Sequence, residues 1–160
     1  IDPGTRITGY GLIKVQHSGF QAVDYGCIKP NSTMKLTDRY LFIYNGIEEL
    51  LQKYSPDSLV VETQFVNKNP QSAIKLGMAR GIIILAAKKK GISVFEYAPT
   101  KAKLAVAGNG KARKCEDQRM VQLLLNLSKV PTPEDAADAL AIAICHANSL
   151  KINHFVSMEI

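Results

Sequence analysis

Three kinds of sequence feature are missing from this 160-residue chain, and each absence excludes a class of protein. No apolar run approaches the roughly 20 residues that a membrane-spanning helix needs, so we expect no membrane insertion. The amino terminus lacks Met and a signal-like basic and apolar stretch, which gives secretion no support. Cys27, Cys115 and Cys145 are widely spaced without a Cys-x-x-Cys pair, which disfavours a zinc or redox site and favours a reducing cytoplasm.

The composition is that of one ordinary soluble domain. Hydrophobic residues make up 46% and charged residues 21%, with no linker, repeat or low-complexity tract. We expect one domain over residues 1–150 and a tail over 151–160. The 20 Lys and Arg residues against 14 Asp and Glu give a net charge of +6, which suits a phosphate-bearing partner. Charge alone does not identify that partner, because many basic proteins bind no nucleic acid.

Hydrophobic periodicity predicts a mixed α/β fold. Strands are expected first as a hairpin and a third strand, then as two strands separated by helices, which implies a mixed sheet with helices packed on its faces. The predicted strands are 7–15, 20–23, 26–29, 59–61 and 92–97, and the predicted helices are 36–51, 70–90, 99–107, 116–127 and 133–150. Ile1-Asp2 looks like the end of a further strand whose first residues precede this sequence.

Four acidic residues carry the best chemical argument in the chain. Asp2 stands in an Ile-Asp-Pro-Gly segment, Glu62 closes an apolar strand, and Asp135 and Asp138 open an apolar helix. Three or four converging carboxylates can hold two divalent ions that activate water and stabilise the leaving oxygen of a phosphodiester. Hard oxygen ligands favour Mg²⁺ or Mn²⁺ over zinc.

Each acid also has an ordinary structural interpretation. Asp2 could initiate a turn, Glu62 could face solvent at a strand end, and Asp135 could complete a capping box with Thr132. Asp138 is harder to dismiss, because it shares a helix face with Asp135 among alanines. Glu134 competes with Asp135 as a ligand but lies about 100° around the helix, so we assign it to the cap or to solvent.

A basic loop is the strongest candidate for phosphate binding. It surrounds Gly108-Asn-Gly110 and carries Lys101, Lys103, Lys111, Arg113, Lys114 and Arg119. A solvated basic surface is the alternative interpretation. Phe65, in the polar stretch that follows Glu62 and includes Lys68, could stack on a base or plug the core. His146 fits either a satisfied helical histidine or an extension of the acidic helix face.

Several segments of the chain together resemble the RuvC family of Holliday junction endonucleases, and the likeness runs from Ile1 to about Leu150. An isolated Asp-Pro-Gly would not be specific, whereas this many ordered matches are. The matching segments are Ile1 to Gly11, Val61 to Phe65 with Lys68-Asn69, Ser72 to Gly81, Val94 to Tyr97, and Asp135 to Ala143. The loop 128–132 and the tail have no counterpart that we can align.

The resemblance implies a ribonuclease H-like fold, with a five-stranded mixed sheet flanked by helices on both faces. It further implies a homodimer that nicks two strands of a four-way DNA junction symmetrically, leaving 5′-phosphate and 3′-hydroxyl ends. It places Mg²⁺ ligands at Asp2, Glu62, Asp135 and Asp138, a base-stacking aromatic at Phe65, and DNA contacts at Lys103 and Lys114. The dimer contact is expected on the helix from Ser72 to Gly81, and the RuvA and RuvB branch-migration proteins are the expected partners.

Three alternatives remain open at this point. A ribosomal-RNA processing nuclease of the same fold also starts from an Asp-x-Gly strand. An ATP-binding domain of the actin and sugar-kinase type uses an Asp-x-Gly-Thr phosphate loop, but its second phosphate loop and larger size are absent here. A junction-binding protein without catalysis is disfavoured by the presence of all four acids.

Overall fold

The computed structural model describes residues 1–63, 69–108, 113–151 and 159–160. Four strands and five helices follow one another along the described chain. They are β1 (Thr8–Gln16), β2 (Gly19–Ile28), α1 (Leu36–Tyr54), β3 (Ser58–Glu62), α2 (Pro70–Lys89), β4 (Ser93–Tyr97), α3 (Pro99–Ala107), α4 (Lys114–Leu124) and α5 (Glu134–Lys151). The mixed α/β architecture predicted from periodicity is confirmed.

The strands form two pairs that are linked by the first two residues of the sequence. β1 pairs with β2 in antiparallel fashion, and β3 pairs with β4 in parallel fashion. The Ile1 nitrogen donates to the Val60 carbonyl at 2.6 Å, and the Ile1 carbonyl accepts from the Glu62 nitrogen at 3.1 Å. Asp2 and Gly9 exchange two backbone hydrogen bonds of 3.0 Å. Among the described residues the sheets are two-stranded, so the predicted single five-stranded sheet is not confirmed.

Helices cover the β3–β4 pair on both faces, because neighbouring residues of a strand point to opposite sides. Leu59, Val61 and Val94 belong to a buried cluster with apolar residues of α1 and α2. Val60 and Tyr97 belong to a second cluster, with α3, α4 and α5. Glu62 is two residues beyond Val60, so its side chain projects toward the side of the sheet that α5 covers.

Helix α5 lies directly against β1 because β1 has glycine where the two elements meet. A Cβ atom added at Gly9 would lie 2.0 Å from the carbonyl oxygen of Asp135, and one added at Gly11 would lie 2.7 Å from Cγ of Leu140. Any larger residue at either position would push the helix away. These two glycines therefore set how closely the start of α5 approaches Asp2, which pairs with Gly9.

Two predicted boundaries are wrong. The predicted strands 20–23 and 26–29 are parts of one strand, β2, because its pairing with β1 continues through Asp24 and Gly26 and absorbs one irregularity opposite Leu12 and Ile13. The predicted helix 116–127 is α4, which ends at Leu124. Asn126 adopts a left-handed φ of 51°, which ends the helix.

We expect Gly9→Ala to lower the free energy of unfolding by about 1 to 3 kcal/mol, the usual cost of forcing a methyl group into a closely packed site. The added methyl would collide with backbone of Asp135, which cannot swing aside. Urea denaturation measures the loss. Gly26→Ala is the matched control, since the atoms nearest its methyl would belong to the Tyr10 side chain, with the hydroxyl at 2.9 Å, and not to backbone. Equal losses in both variants would contradict the proposed role of Gly9.

Candidate active site

Asp2 is fixed by backbone pairing and by a closed loop that follows it. Its backbone bonds to Gly9 hold it beside β1. The Thr8 hydroxyl is fully buried and donates to the Gly4 carbonyl at 2.8 Å, which closes the loop between Asp2 and β1. The Asp2 side chain is half-buried at the edge of this loop.

Glu62 and the two aspartates of α5 reach the same region from other elements. Glu62 ends β3, and its nitrogen bonds to the carbonyl of Ile1, the residue before Asp2. Asp135 and Asp138 lie in the first turns of α5, and the backbone of Asp135 rests on Gly9. All four carboxylate residues are partly buried, whereas Glu134 is exposed, in agreement with its assignment to the helix cap or solvent.

The electrostatics of Asp2 and Glu62 show that the acids influence one another. Burial, followed by the negative charge of Asp2, a hydrogen bond with Asp2 and the charge of Asp138, raises the pKa of Glu62 from 4.5 to about 8. Burial also raises the pKa of Asp2, and the charges of Asp138 and Asp135 add to that effect. A Glu62 carboxyl that keeps its proton near pH 7 and hydrogen-bonds to Asp2 fits the raised pKa of Glu62, and this bond lowers the pKa of Asp2 against the larger effect of burial. The region therefore holds more negative charge than it can keep ionised without a cation.

The donor set suits a hard divalent cation, but the side chains are not gathered into a finished coordination sphere. Within the described part of the chain, no three His, Cys, Asp or Glu side chains lie close enough to form a metal-binding group as they stand. The available donors are carboxylate oxygens, which Mg²⁺ and Mn²⁺ prefer. Cation binding would relieve the repulsion that raises the pKa of Glu62, and it would draw the carboxyl groups together.

The predicted DNA-contacting residues have varied positions. Lys103 on α3 lies 3.7 Å from Oδ2 of Asp117 on α4, a carboxylate only 5% exposed. Oδ1 of Asp117 has no hydrogen-bond partner among the residues that the structure describes. Lys103 is therefore tied to a buried acid. Arg113, the residue before α4, is highly exposed. Its backbone nitrogen donates a hydrogen bond to Oε2 of Glu116 at 2.8 Å. Lys114 is the first residue of α4. The predicted DNA contacts Phe65, Lys68 and Lys111 lie outside the described residues.

His146 is a buried helical histidine whose two ring nitrogens both lie near hydroxyl groups, which is the first of the two interpretations that the sequence allowed. It is 5% exposed, with Nε2 lying 3.2 Å from the Ser58 hydroxyl and Nδ1 lying 3.1 Å from the Tyr97 hydroxyl. Burial lowers its pKa, so the ring stays neutral near pH 7. Ser58 opens β3 and Tyr97 closes β4, so His146 anchors α5 to both strands of this pair.

Comparison with known proteins identifies the family. Residues 1–146 match the family described as "Crossover junction endodeoxyribonuclease RuvC". The protein of that name from Protochlamydia amoebophila is 62% identical over 147 residues, covering 92% of this chain and 88% of the relative. The one from Ruminiclostridium cellulolyticum is 48% identical over 149 residues, covering 93% and 90%. The chain belongs to the RuvC family.

Solved RuvC structures share the fold over nearly the whole chain. The structure named "T. thermophilus RuvC in complex with Holliday junction substrate" has a TM-score of 0.89 at 33% identity, covering 95% of this chain and 93% of that one. A yeast mitochondrial Holliday junction resolvase, Ydc2, has a TM-score of 0.64 at 13% identity and shows likeness of fold alone. The ribonuclease H-like fold expected from the RuvC resemblance is thereby confirmed in its general architecture.

The RuvC-like sequence left three structural features unpredicted. The contact of Gly9 and Gly11 with α5 was hidden because both glycines read as ordinary strand positions. The Lys103–Asp117 pair joins two helices, and helical spacing alone does not show which residues of different helices meet. Arg80 of α2 forms an ion pair with Glu96 of β4, which ties that helix to the strand next to β3.

We expect Glu62→Gln to flatten the pH dependence of the stability of this protein in metal-free buffer. The folded-state pKa of Glu62, about 8, lies above the ordinary value of 4.5. The folded chain therefore retains a proton that the unfolded chain loses, and stability falls as pH rises from about 4.5 to about 8. The variant lacks this titration, so its stability should fall less over that window.

Thermal unfolding between pH 5 and pH 8 in chelator measures the difference. Glu134→Gln is the matched control, because Glu134 is exposed and its loss should leave the pH slope of the parent chain. Parallel profiles for Glu62→Gln and the parent chain would show that Glu62 titrates normally.

Proposed function

We propose that this RuvC family member is a structure-selective endonuclease that resolves four-way DNA junctions by symmetric hydrolysis of two phosphodiester bonds. Family membership over residues 1–146 carries the proposal. The relative from Thermus thermophilus named in complex with a Holliday junction substrate supports the choice of substrate. The expected biological role is recombination and repair of DNA.

The proposed catalytic residues are Asp2, Glu62, Asp135 and Asp138, and the proposed cofactor is Mg²⁺, with Mn²⁺ able to substitute. RuvC family nucleases depend on metal. A divalent ion at these carboxylates would stabilise charge on the scissile phosphate and lower the pKa of an attacking water. The chain's own contribution is to hold the four carboxylates at the junction of β1, β3 and α5, where backbone pairing fixes Asp2 and Glu62. Expected products carry 5′-phosphate and 3′-hydroxyl ends.

Several residues outside the acids are proposed to bind DNA. Phe65 would stack on a base near the crossover, and Lys68, Lys103, Lys111, Arg113 and Lys114 would neutralise phosphates. Without DNA, the buried carboxylate of Asp117 would hold the Lys103 side chain in place. When DNA binds, a phosphate would compete with Asp117 for the lysine.

The proposed sheet is five-stranded, with residues 1–2 serving as the strand between β1 and β3. The hydrogen bonds of Ile1 to Val60 and Glu62, and of Asp2 to Gly9, support this arrangement.

The proposed location of the protein in the cell is the cytoplasm. The three cysteines are free, which suits a reducing compartment, and no helix among the described residues could cross a membrane. RuvA and RuvB are the proposed partners.

A homodimer through α2 is proposed on the apolar surface of that helix. Ile74, Met78 and Leu85 share one side of α2 and are 64%, 52% and 56% exposed. Added Cβ atoms at Gly77 and Gly81 would meet no atom of another described segment within 4 Å, so the helix is open to close approach there. Symmetric nicking of two strands requires two active sites, which a dimer supplies.

Cleavage of a labelled synthetic four-way junction, compared with a linear duplex, tests the proposed activity. With Mg²⁺ we expect paired symmetric nicks in the junction that DNA ligase can reseal, and none with chelator. Asp138→Asn should reduce nicking by about 100-fold or more, the scale for losing one group that stabilises the transition state. Glu134→Gln, an exposed acid on the same helix, should cleave normally.

Binding of the junction without metal-dependent nicking would contradict catalysis and leave a junction-binding protein. Cleavage of RNA ends without any preference for junctions would instead favour the ribosomal-RNA processing alternative.

Replacing Ile74 and Met78 by Glu should convert the proposed dimer to monomers, because two charges would be buried in an apolar contact. Sedimentation equilibrium measures the mass. Leu123→Glu is the control, since Leu123 on α4 is 66% exposed but lies outside α2. A monomeric parent chain, or a double variant that remains dimeric, would rule out this interface.

A further inference from the structure

A cleft of about 770 Å³ lies at the open end of the β1–β2 hairpin, where β1 begins and β2 ends. It is separate from the acidic region and from the predicted DNA contacts described above. Its walls come from the loop before β1, the segment after β2 and the first turns of α1. Among the described residues that line it, three side chains are cations and none is acidic; the cations are Arg6, Lys29 and Arg39. Met34 and Phe42 contribute apolar surface, and Phe42 is 42% exposed.

Arg39 is held in place at this cleft by backbone oxygens. Its Nε donates to the Met34 carbonyl at 3.0 Å, and its Nη2 donates to the Ser32 carbonyl at 2.5 Å. These bonds use two of the five N–H donors of a guanidinium. The charge is therefore positioned before any ligand arrives, which reduces the ordering cost of binding. Arg6 and Lys29 are exposed, so their charges are available at the rim.

The cleft lies beside the acidic region and not across the molecule from it. Arg6 stands in the short loop that joins Asp2 to β1, and Lys29 follows Ile28, the pairing partner of Thr8. Burial, followed by the charges of Asp135 and Asp2, raises the pKa of the Cys27 thiol to about 11, and the charge of Lys29 opposes that rise. A DNA strand cut at the acids would therefore extend past these cations in one direction.

We propose that this cleft binds the DNA strand next to the scissile phosphodiester, with phosphates against Arg6, Lys29 and Arg39. Met34 and Phe42 would lie under a sugar or base. The inference rests on the proposed function and adds a strand-binding site to it. DNA is favoured over an acidic protein segment because four carboxylates nearby repel phosphate, and a substrate held there needs local cations to offset that repulsion.

A double variant, Arg6→Gln with Lys29→Gln, tests the cleft while leaving the structural hydrogen bonds of Arg39 intact. The matched control is Lys14→Gln with Lys90→Gln, which removes the same charge from exposed positions that do not line the cleft. Junction affinity is measured in chelator at several salt concentrations, so that binding is observed without cleavage. Equal melting temperatures for the two double variants would establish that both are folded.

We expect the cleft variant to bind the junction about tenfold or more weakly than the control variant. When log affinity is plotted against log salt concentration, the slope for the cleft variant should be smaller in magnitude by about one to two. Each phosphate contact contributes roughly 0.7 to 0.9 to that slope. Equal affinities and slopes in the two variants would overturn the inference and leave an acidic protein segment as the occupant.

The same experiment separates the cleft from the proposed activity. If the parent chain nicks the junction and both double variants bind it with the same affinity, DNA binding by the cleft is refuted and the proposed activity stands. Selective weakening in the cleft variant without any nicking by the parent chain would support the cleft and refute the proposed activity. A parent chain that binds no DNA would refute both.

Discussion

The close approach of α5 to β1 is the constraint on which the arrangement of the acids depends. Gly9 pairs with Asp2 through two backbone bonds and also supports the backbone of Asp135, so one residue without a side chain touches both halves of the acidic region. Gly11 extends this contact to Leu140. Larger residues at these positions would separate a carboxylate near the sheet from two carboxylates on the helix.

The second constraint is electrostatic. Bringing four carboxylates into a partly buried region costs free energy, and the raised pKa values of Asp2 and Glu62 express that cost. Packing elsewhere in the fold offsets this free-energy cost, and the buried contacts of His146 with Ser58 and Tyr97 are part of that packing. A cation would offset the repulsion, so metal binding and the ionisation of Glu62 should be linked. The structure thus places the unfavourable charge where the proposed chemistry uses it.

Sequence patterns predicted most of the fold because its elements carry strong periodicity. Helix α1 and strand β3 were predicted within a few residues, since their apolar spacing is regular. The continuity of β2 was missed because Asp24 and Gly26 interrupt the apolar pattern, while backbone pairing with β1 is indifferent to those side chains. The five-stranded sheet was expected from family resemblance. In the part of the chain that the structure describes, the two strand pairs are joined by isolated hydrogen bonds of residues 1–2.

The four acids stood out in the sequence as candidate ligands because each follows or opens an apolar element, which is a costly place for a charge. The partners of other charged residues were not identifiable. Lys103 read as an open phosphate contact, and the structure ties it to Asp117 on another helix. Arg6, Lys29 and Arg39 come from three separate segments, so no run of positive charge marked the cleft that they form.

Anomalous diffraction from crystals soaked in Mn²⁺ would test the central claim most directly, because it locates the ion independently of any activity. We expect a Mn²⁺ peak among the carboxylates of Asp2, Glu62 and the two aspartates of α5, absent in crystals of Asp138→Asn or much weakened there. A fully occupied Mn²⁺ site elsewhere with no peak at these carboxylates would contradict the account.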